Sequence, residues 1–293
     1  MNNGRLVPAL LLAPLMLVLA VFLIGLGDGI LQGFGFIPSF GMRRLTFDYF
    51  RAALADPNLR SGLGISLYIA AVSASGATIL GVVLSFALVT LKKDRGPLYA
   101  VIRIPMFFPW IVTGLAMTHL LSGGGWLARL FGAFGFAGVA AVFDRVLYSP
   151  GHGGVIIAFI WACTPFACFM IQAVMSQVTD TLGEAAANLG ANLWRRFWFV
   201  TLPVCRPLIR NTFLIVLVSC FGVYEIPALL GMTVPRALPV EIYYQYGFPD
   251  LLHRPYAMAL NTVMLAGSLV IAGVVLFFVR DNSRKGAFSR DEN

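Results

Sequence analysis

The sequence predicts an all-α integral membrane protein with six transmembrane helices. Three observations predict it. Hydrophobic residues make up 59% of the 293 and charged residues only 12%, against roughly 45–50% and about 25% in a soluble domain. Six stretches are long and apolar enough to cross a membrane, since a hydrocarbon core roughly 30 Å thick takes about 20 residues of helix. The basic residues fall in clusters at alternate ends of those stretches, the pattern of a multi-pass protein obeying the positive-inside rule.

The spans are expected at about 6–27, 66–91, 102–121, 154–178, 211–230 and 257–279. The first follows a single Arg5, but its apolar run exceeds the about 7–15 residues of a signal-peptide core and reads as a retained span. Between the first two spans, Leu45, Tyr49, Phe50, Ala53 and Leu54 repeat at helical spacing and predict a short amphipathic surface helix. Pro105, Pro109 and Pro165 are placed to kink the third and fourth spans. The loop after the third span opens on "SGGGW", whose glycines mark turns, with a short helix around 127–131. The loop at about 231–256 carries Pro235, Pro239, Pro249 and Pro255 and is expected to be largely irregular. The charged tail from Arg280 is expected to fray. The whole is one transmembrane domain, a five-helix core at about 62–280 preceded by one N-terminal span.

The net charge of +8 belongs to the membrane and not to nucleic acid, because its placement follows the spans. Arg5, then Lys92, Lys93, Arg95 and Arg103, then Arg195, Arg196, Arg206 and Arg210, then Arg280, Arg284, Lys285 and Arg290 share one side with both termini. That side is expected to be the cytoplasm. Arg43, Arg44, Arg51, Arg60, Arg129, Arg145, Arg236 and Arg254 are spread over the longer loops opposite. Cys163, Cys168 and Cys220 fall within spans and Cys205 in a cytoplasmic loop, so no disulfide is expected. His119, His152 and His253 are far apart in sequence. There is no Cys/His metal-ligand spacing, no GxxxxGK[ST] and no GxSxG. No catalytic cluster or metal site is expected, and any ATP chemistry must sit on another chain.

One polar stretch stands between the fourth and fifth spans: "EAAANLGANLWRRFWFVTLP", residues 184–203. Thr181-Leu182-Gly183-Glu184 fits a capping box, so a helix is expected to start after Thr181. Leu182, Ala185, Ala186, Leu189, Leu193 and Phe197 continue it as one apolar stripe. Gly190 falls inside the pattern, at a cost of roughly 1 kcal/mol against alanine. Asn188, Asn192, Arg195 and Arg196 occupy other faces. Leu202-Pro203 is expected to end the unit, with Pro207 a further break before the fifth span. Trp194 and Trp198 suit a helix lying on lipid headgroups; the small residues suit close approach of a soluble partner.

Glu184-Ala185-Ala186, three residues, Gly190, nine residues, Val200-x-Leu202-Pro203 resembles the EAA loop of permease subunits of binding-protein-dependent ABC importers. That pattern is EAA-x3-G-x9-I-x-L-P, and Val200 in place of isoleucine is the only departure. The resemblance implies a type I ABC importer permease fold whose loop at about 180–203 forms a cytoplasmic coupling helix. Glu184, Ala185, Ala186, Gly190, Arg195, Arg196, Leu202 and Pro203 would then couple to the ATPase. It further implies two cytoplasmic ABC ATPase subunits that hold the ATP and Mg, so that this chain needs no cofactor. A second permease subunit, identical or related, and a periplasmic substrate-binding protein complete the assembly. The location implied is the bacterial inner membrane, with both termini cytoplasmic.

"FGVYEIPALLG", residues 221–231, followed by "PRALPVEIYYQYGFP", resembles the matching segment of permeases for polyamines, aminophosphonates, ferric iron and thiamine. It lacks the "TGGP"-like turn of sugar permeases. The solute implied is small and polar, a polyamine or similar cationic or phosphonate compound, with a sugar-type importer as the alternative. Glu225 is expected near the outer third of the fifth span, where a carboxylate is costly and faces a cavity or a partner. It either attracts a cation in the pathway or holds helices together. Tyr224, Asn261 and His119 are further polar groups in or near spans, able to bond another helix or touch solute. An ion-coupled secondary transporter would need embedded coupling groups and internal repeats; only Glu225 and no repeat is found.

Overall fold

Helix dominates the chain, as the sequence predicts, and no β-strand forms among the described residues. The computed structural model describes the backbone of residues 3–91, 96–136 and 138–288, and the side chains of 11–91, 96–136, 138–273 and 277. Lys92, Lys93, Arg95 and Arg290 of the expected charge clusters lie outside the described residues, as do the side chains of Arg5, Arg280, Arg284 and Lys285.

The first span is α1 (Asn3–Gly33). Its side chains from 11 to 25 are all exposed, as an apolar helix facing lipid must be. The amphipathic surface helix forms as α2 (Asp48–Ala55), with Ala53 buried. The second span lies within α3 (Pro57–Thr90); its proline stands at the first position, where the missing N–H costs no helical bond. The third span is broken where its prolines predict. α4 (Gly96–Arg103) leads into a 3-10 turn, Ile104–Phe107. Pro109 then precedes α5 (Trp110–Leu121), and the two parts of the span meet at 109°. α6 (Trp126–Ala133) is the short helix expected around 127–131. α7 (Val139–Leu147) was not expected.

The fourth span is α8 (Gly153–Val178), which passes through Pro165 without interruption. Then come the short α9 (Glu184–Asn188) and α10 (Leu193–Arg196) and the fifth span, α11 (Leu202–Gly222). That span stops eight residues short of its expected end at 230. α12 (Glu225–Leu230) follows as a separate helix. Pro227 explains the break: in a continuous helix its ring would meet the carbonyl of Val223, and Val223 is extended instead. α13 (Leu238–Tyr246) corrects the expectation of an irregular loop; Pro239 stands in its first turn, where proline is tolerated. α14 (Arg254–Phe288) contains the sixth span and stays helical to Phe288, so the tail does not fray from Arg280. Five helices are individually long and apolar enough to cross a membrane, and the bent pair of the third span makes six.

The chain divides into two compact units. One comprises residues 1–60 with 241–266. Here the end of α1 lies against α14, where a Cβ on Gly33 would stand 3.2 Å from the backbone of Ala259. Phe34, Phe47 and Phe50 cluster with centroids 4.7–6.4 Å apart. Tyr256 donates to Asp56 at 2.6 Å.

The other unit comprises residues 61–240 with 267–293 and is built around α8. Small residues let α3 approach it: Ser85 Oγ donates to the carbonyl of Cys168 at 2.7 Å, and a Cβ on Gly81 would stand 2.7 Å from that of Ala167. This is the close backbone contact that membrane helices favour, since lipid gives them no hydrophobic drive to associate. α11 packs on the same helix, with Cys163 Sγ 3.9 Å from Cys220 Sγ. All four cysteines are free thiols, and Cys205 is buried inside α11 rather than in a loop. α12 packs against α5 and α8.

Candidate functional site

The polar stretch between α8 and α11 forms a helical hairpin. α8 does not end before it. A π-helical turn, Thr179–Gly183, carries the same helix into α9. The expected capping box is therefore absent: Thr181 Oγ1 donates to the carbonyl of Gln177 at 2.8 Å, and residues 178 and 183 flanking the turn are both right-handed helical. A helix already running has no free amides at Thr181 to cap.

Gly190 is not inside a helix. Its φ is +84°, and it ends α9 in a Schellman motif. The Gly190 amide donates to Ala187 at 2.9 Å and the Ala191 amide to Ala186 at 3.0 Å. Glycine takes this left-handed position without a Cβ penalty. Two residues on, Asn192 Oδ1 accepts from the Arg195 amide at 2.9 Å and opens α10. Gly190 stops one helix and Asn192 starts the next, which makes the chain reverse within four residues.

The return limb corrects a second expectation. Leu202-Pro203 does not end the unit. α10 passes through a second π-helical turn, Phe197–Thr201, straight into α11, with Pro203 in the first turn and Pro207 inside. The π turn already displaces the bonding that Pro203 would break. Both limbs are thus the ends of transmembrane helices, and a force on the hairpin is transmitted directly to α8 and α11.

The hairpin's root is apolar and its tip is bare. Phe197 is buried with Val89, Ile171, Met175, Val178 and Cys205, and its ring lies 4.3 Å from Phe86 of α3. Arg196 folds inward: its Nη2 would stand 3.2 Å from a Cβ on Gly183, and its Nε is buried without a hydrogen-bond partner among the described residues. Gly183, unremarked in the sequence beyond its place in the supposed capping box, thus makes room for a guanidinium against the outgoing limb. At the tip, Leu189 is 90% exposed, beside exposed Glu184, Ala185 and Arg195. The expected stripe therefore divides, with Phe197 inside and Leu182, Leu189 and Leu193 outside. Leu202 and Pro203 are half-buried on α11.

The remaining site candidates stand elsewhere. Glu225 is half-buried in the first turn of α12, outside the fifth span, with Tyr224 preceding it. His119 is exposed in the last turn of α5. Asn261 is exposed on α14. One feature had no sequence-based counterpart. A groove of about 780 Å³ opens between α3 and α11, lined by Ser75, Thr78, Arg206 and Arg210 among apolar side chains. In the sequence the two arginines stand out only as edge charges, although their four-residue spacing places them on one helical face.

A bundle of membrane-spanning helices with a helical hairpin projecting from two of them defines a multi-pass membrane protein. Residues 77–284 match the family described as binding-protein-dependent transport system inner membrane component, and the chain belongs to that family. It is 29% identical over 198 residues to the probable sulfate transport system permease protein cysT of Chlorokybus atmophyticus, covering 65% of this chain and 64% of that one. It is 27% identical over 258 residues to the putative ferric transport system permease protein FbpB 1 of Haemophilus influenzae, covering 86% and 37%. It is 25% identical over 234 residues to the putrescine transport system permease protein PotI of Escherichia coli K12, covering 79% and 76%. The chain thus spans less than two thirds of the first two relatives. Its fold matches a bacterial ABC transporter involved in alginate import with a TM-score of 0.77 at 20% identity, covering 96% of both chains.

Proposed function

We propose that this chain is the permease subunit of an ATP-driven importer of the inner membrane and passes a small polar solute. The observation that carries the reading is the hairpin: its limbs are continuous with two spans and its tip presents Leu189, Glu184 and Ala185 to a partner. That partner is a cytoplasmic ABC ATPase, one of two, which binds ATP and Mg. A second permease subunit and a periplasmic binding protein complete the assembly, and both termini face the cytoplasm. Closure of the ATPases brings two hairpins together, and the rigid limbs pass that movement to α8 and α11. This chain performs no covalent chemistry.

Leu189→Asp tests the docking. A leucine buried against a partner contributes about 1.5–3 kcal/mol, and a carboxylate there adds a desolvation cost. ATPase co-purified with the variant should fall by about tenfold or more, with membrane levels unchanged because Leu189 touches little of its own chain. ATPase retained at the wild-type level would sink the docking reading.

Relatives named for putrescine, ferric iron and sulfate transport support a charged solute. Glu225 favours a cation such as a polyamine: at about 4 Å a unit-charge pair gains roughly 4 kcal/mol at an effective dielectric near 20. On that reading Glu225→Gln lowers putrescine uptake severalfold in cells with normal permease levels and leaves ATPase assembly intact. Unchanged putrescine uptake would remove Glu225 from the pathway, and poor expression would mark it as an acid that holds helices together.

A further inference from the structure

The return limb of the hairpin, α10 and the π turn after it, carries large aromatic side chains that its own chain does not cover. Trp194 is 64% exposed, Trp198 56% and Phe199 80%, and Arg195 is exposed among them. These four residues line an open cleft of about 420 Å³. Trp194 and Trp198 stand four residues apart and so share one helical face.

Packing fixes the depth of this cleft. The Trp194 ring lies 6.2 Å from that of Phe86 on α3. Phe197, on the same limb, is buried with Val89 of α3, Val178 of α8 and Cys205 of α11. Val89 and Val178 stand at the ends of two apolar runs. The sequence turns to Lys92 and Lys93 after the first and to Thr179 and Asp180 after the second. The limb is therefore level with the ends of two spans, where hydrocarbon gives way to headgroups. Tryptophan concentrates at that level, because its ring is apolar and its N–H is polar. Charge points the same way: between Glu184 and Glu225 the chain carries Arg195, Arg196, Arg206 and Arg210 and no acid. Guanidinium binds phosphate oxygens through its fork of donors, and basic residues at this level draw anionic lipid. We propose that Trp194, Arg195, Trp198 and Phe199 bind an anionic phospholipid of the adjoining leaflet. Arg195 takes its phosphate, and the aromatic rings lie along its glycerol and upper acyl chains. Because α10 and α11 form one rod, a lipid held there steadies the height at which the hairpin tip stands. That consequence rests on the importer reading; the lipid contact does not.

The test reconstitutes the full chain in phosphatidylcholine vesicles that also carry a brominated quencher lipid. The quencher is either phosphatidylglycerol or phosphatidylcholine, each brominated near the headgroup end of the acyl chain. Tryptophan fluorescence is read for the wild type and for Trp194→Phe/Trp198→Phe, and the difference isolates the two limb tryptophans. If the double variant fails to insert, the two single variants give the same difference one ring at a time. The limb signal should be quenched by both lipids, but by phosphatidylglycerol at about fivefold lower mole fraction, the factor that one basic residue supplies at an anionic surface. Arg195→Gln should bring the two lipids onto one curve, and Arg195→Lys, which keeps the charge, should retain most of the preference. Equal quenching by the two lipids in the wild type, or a preference that survives Arg195→Gln, overturns the proposal. So does a limb signal that neither lipid quenches, which would mean that a protein surface, an ATPase or a second permease chain, covers the limb instead. Retention of the ATPase by Leu189→Asp would overturn the importer reading and leave the quenching result standing.

Discussion

Gly190→Val should detach the ATPase while leaving the chain inserted in the membrane. The reason is backbone strain, since nothing lies within 4 Å of a Cβ added at Gly190. Its φ of +84° costs an L-residue roughly 1–2 kcal/mol, and a β-branched residue is a genuine outlier there. α9 has only five residues and little to oppose that cost. Its end should unwind, and with it the bonds from Gly190 and Ala191 to Ala187 and Ala186. Leu189 and Glu184 would then lose the fixed relation that a docking surface needs. ATPase association should weaken by about tenfold, measured by titrating labelled ATPase onto the reconstituted permease. Gly190→Asn should keep most of the affinity, because asparagine tolerates the left-handed region. Equal affinities for valine and asparagine would show that the reversal is not what positions the tip.

Gly81→Leu should damage the fold itself. A Cβ at Gly81 would stand 2.7 Å from the Ala167 Cβ and 3.0 Å from the Ala167 carbonyl carbon and the Cys168 nitrogen. Those atoms belong to a helix backbone and cannot swing aside. α3 would have to withdraw from α8, losing the Ser85 bond to Cys168. Overpacking of this kind costs about 1–3 kcal/mol or more, which at roughly 2–4 °C per kcal/mol lowers the thermal midpoint by about 10 °C. Gly76→Ala is the control. Its nearest neighbour is the flexible end of the Ile160 side chain, at 2.5 Å, which can turn away. A purified Gly81→Leu protein melting with the wild type would show that the α3–α8 approach is looser than its geometry.

The hairpin is anchored at its root, where Phe197 and Phe86 pack with the ends of α3 and α8, and is bare at its tip. Partner binding and chain stability therefore separate there, which is why Leu189→Asp and Gly190→Val should spare insertion.

The sequence by itself determined the six spans, the membrane class and the spacing of the EAA-like loop. Each is a local property: a span needs about 20 apolar residues in a row, and a motif needs only residues at intervals. It also located the break in the third span, because Pro105 and Pro109 act on their own helix. Only the tertiary structure decided the rest. Thr181, with Glu184 three residues on, reads as a cap, but α8 continues through it because its buried face still packs where a free helix would have ended. Gly190 reads as a helix interior or as a helix end with equal ease, and the bonds to Ala186 and Ala187 chose the end. Pro203 and Pro207 read as breakers, but Pro203 falls in the first turn of α11, just after a π turn, and Pro207 is carried inside that helix, so hairpin and span form one rod. The groove between α3 and α11 was beyond reach, because its two walls come from residues more than a hundred apart in the chain. Local pattern specifies which segments enter lipid; the partner that satisfies each polar group is set by how those segments pack.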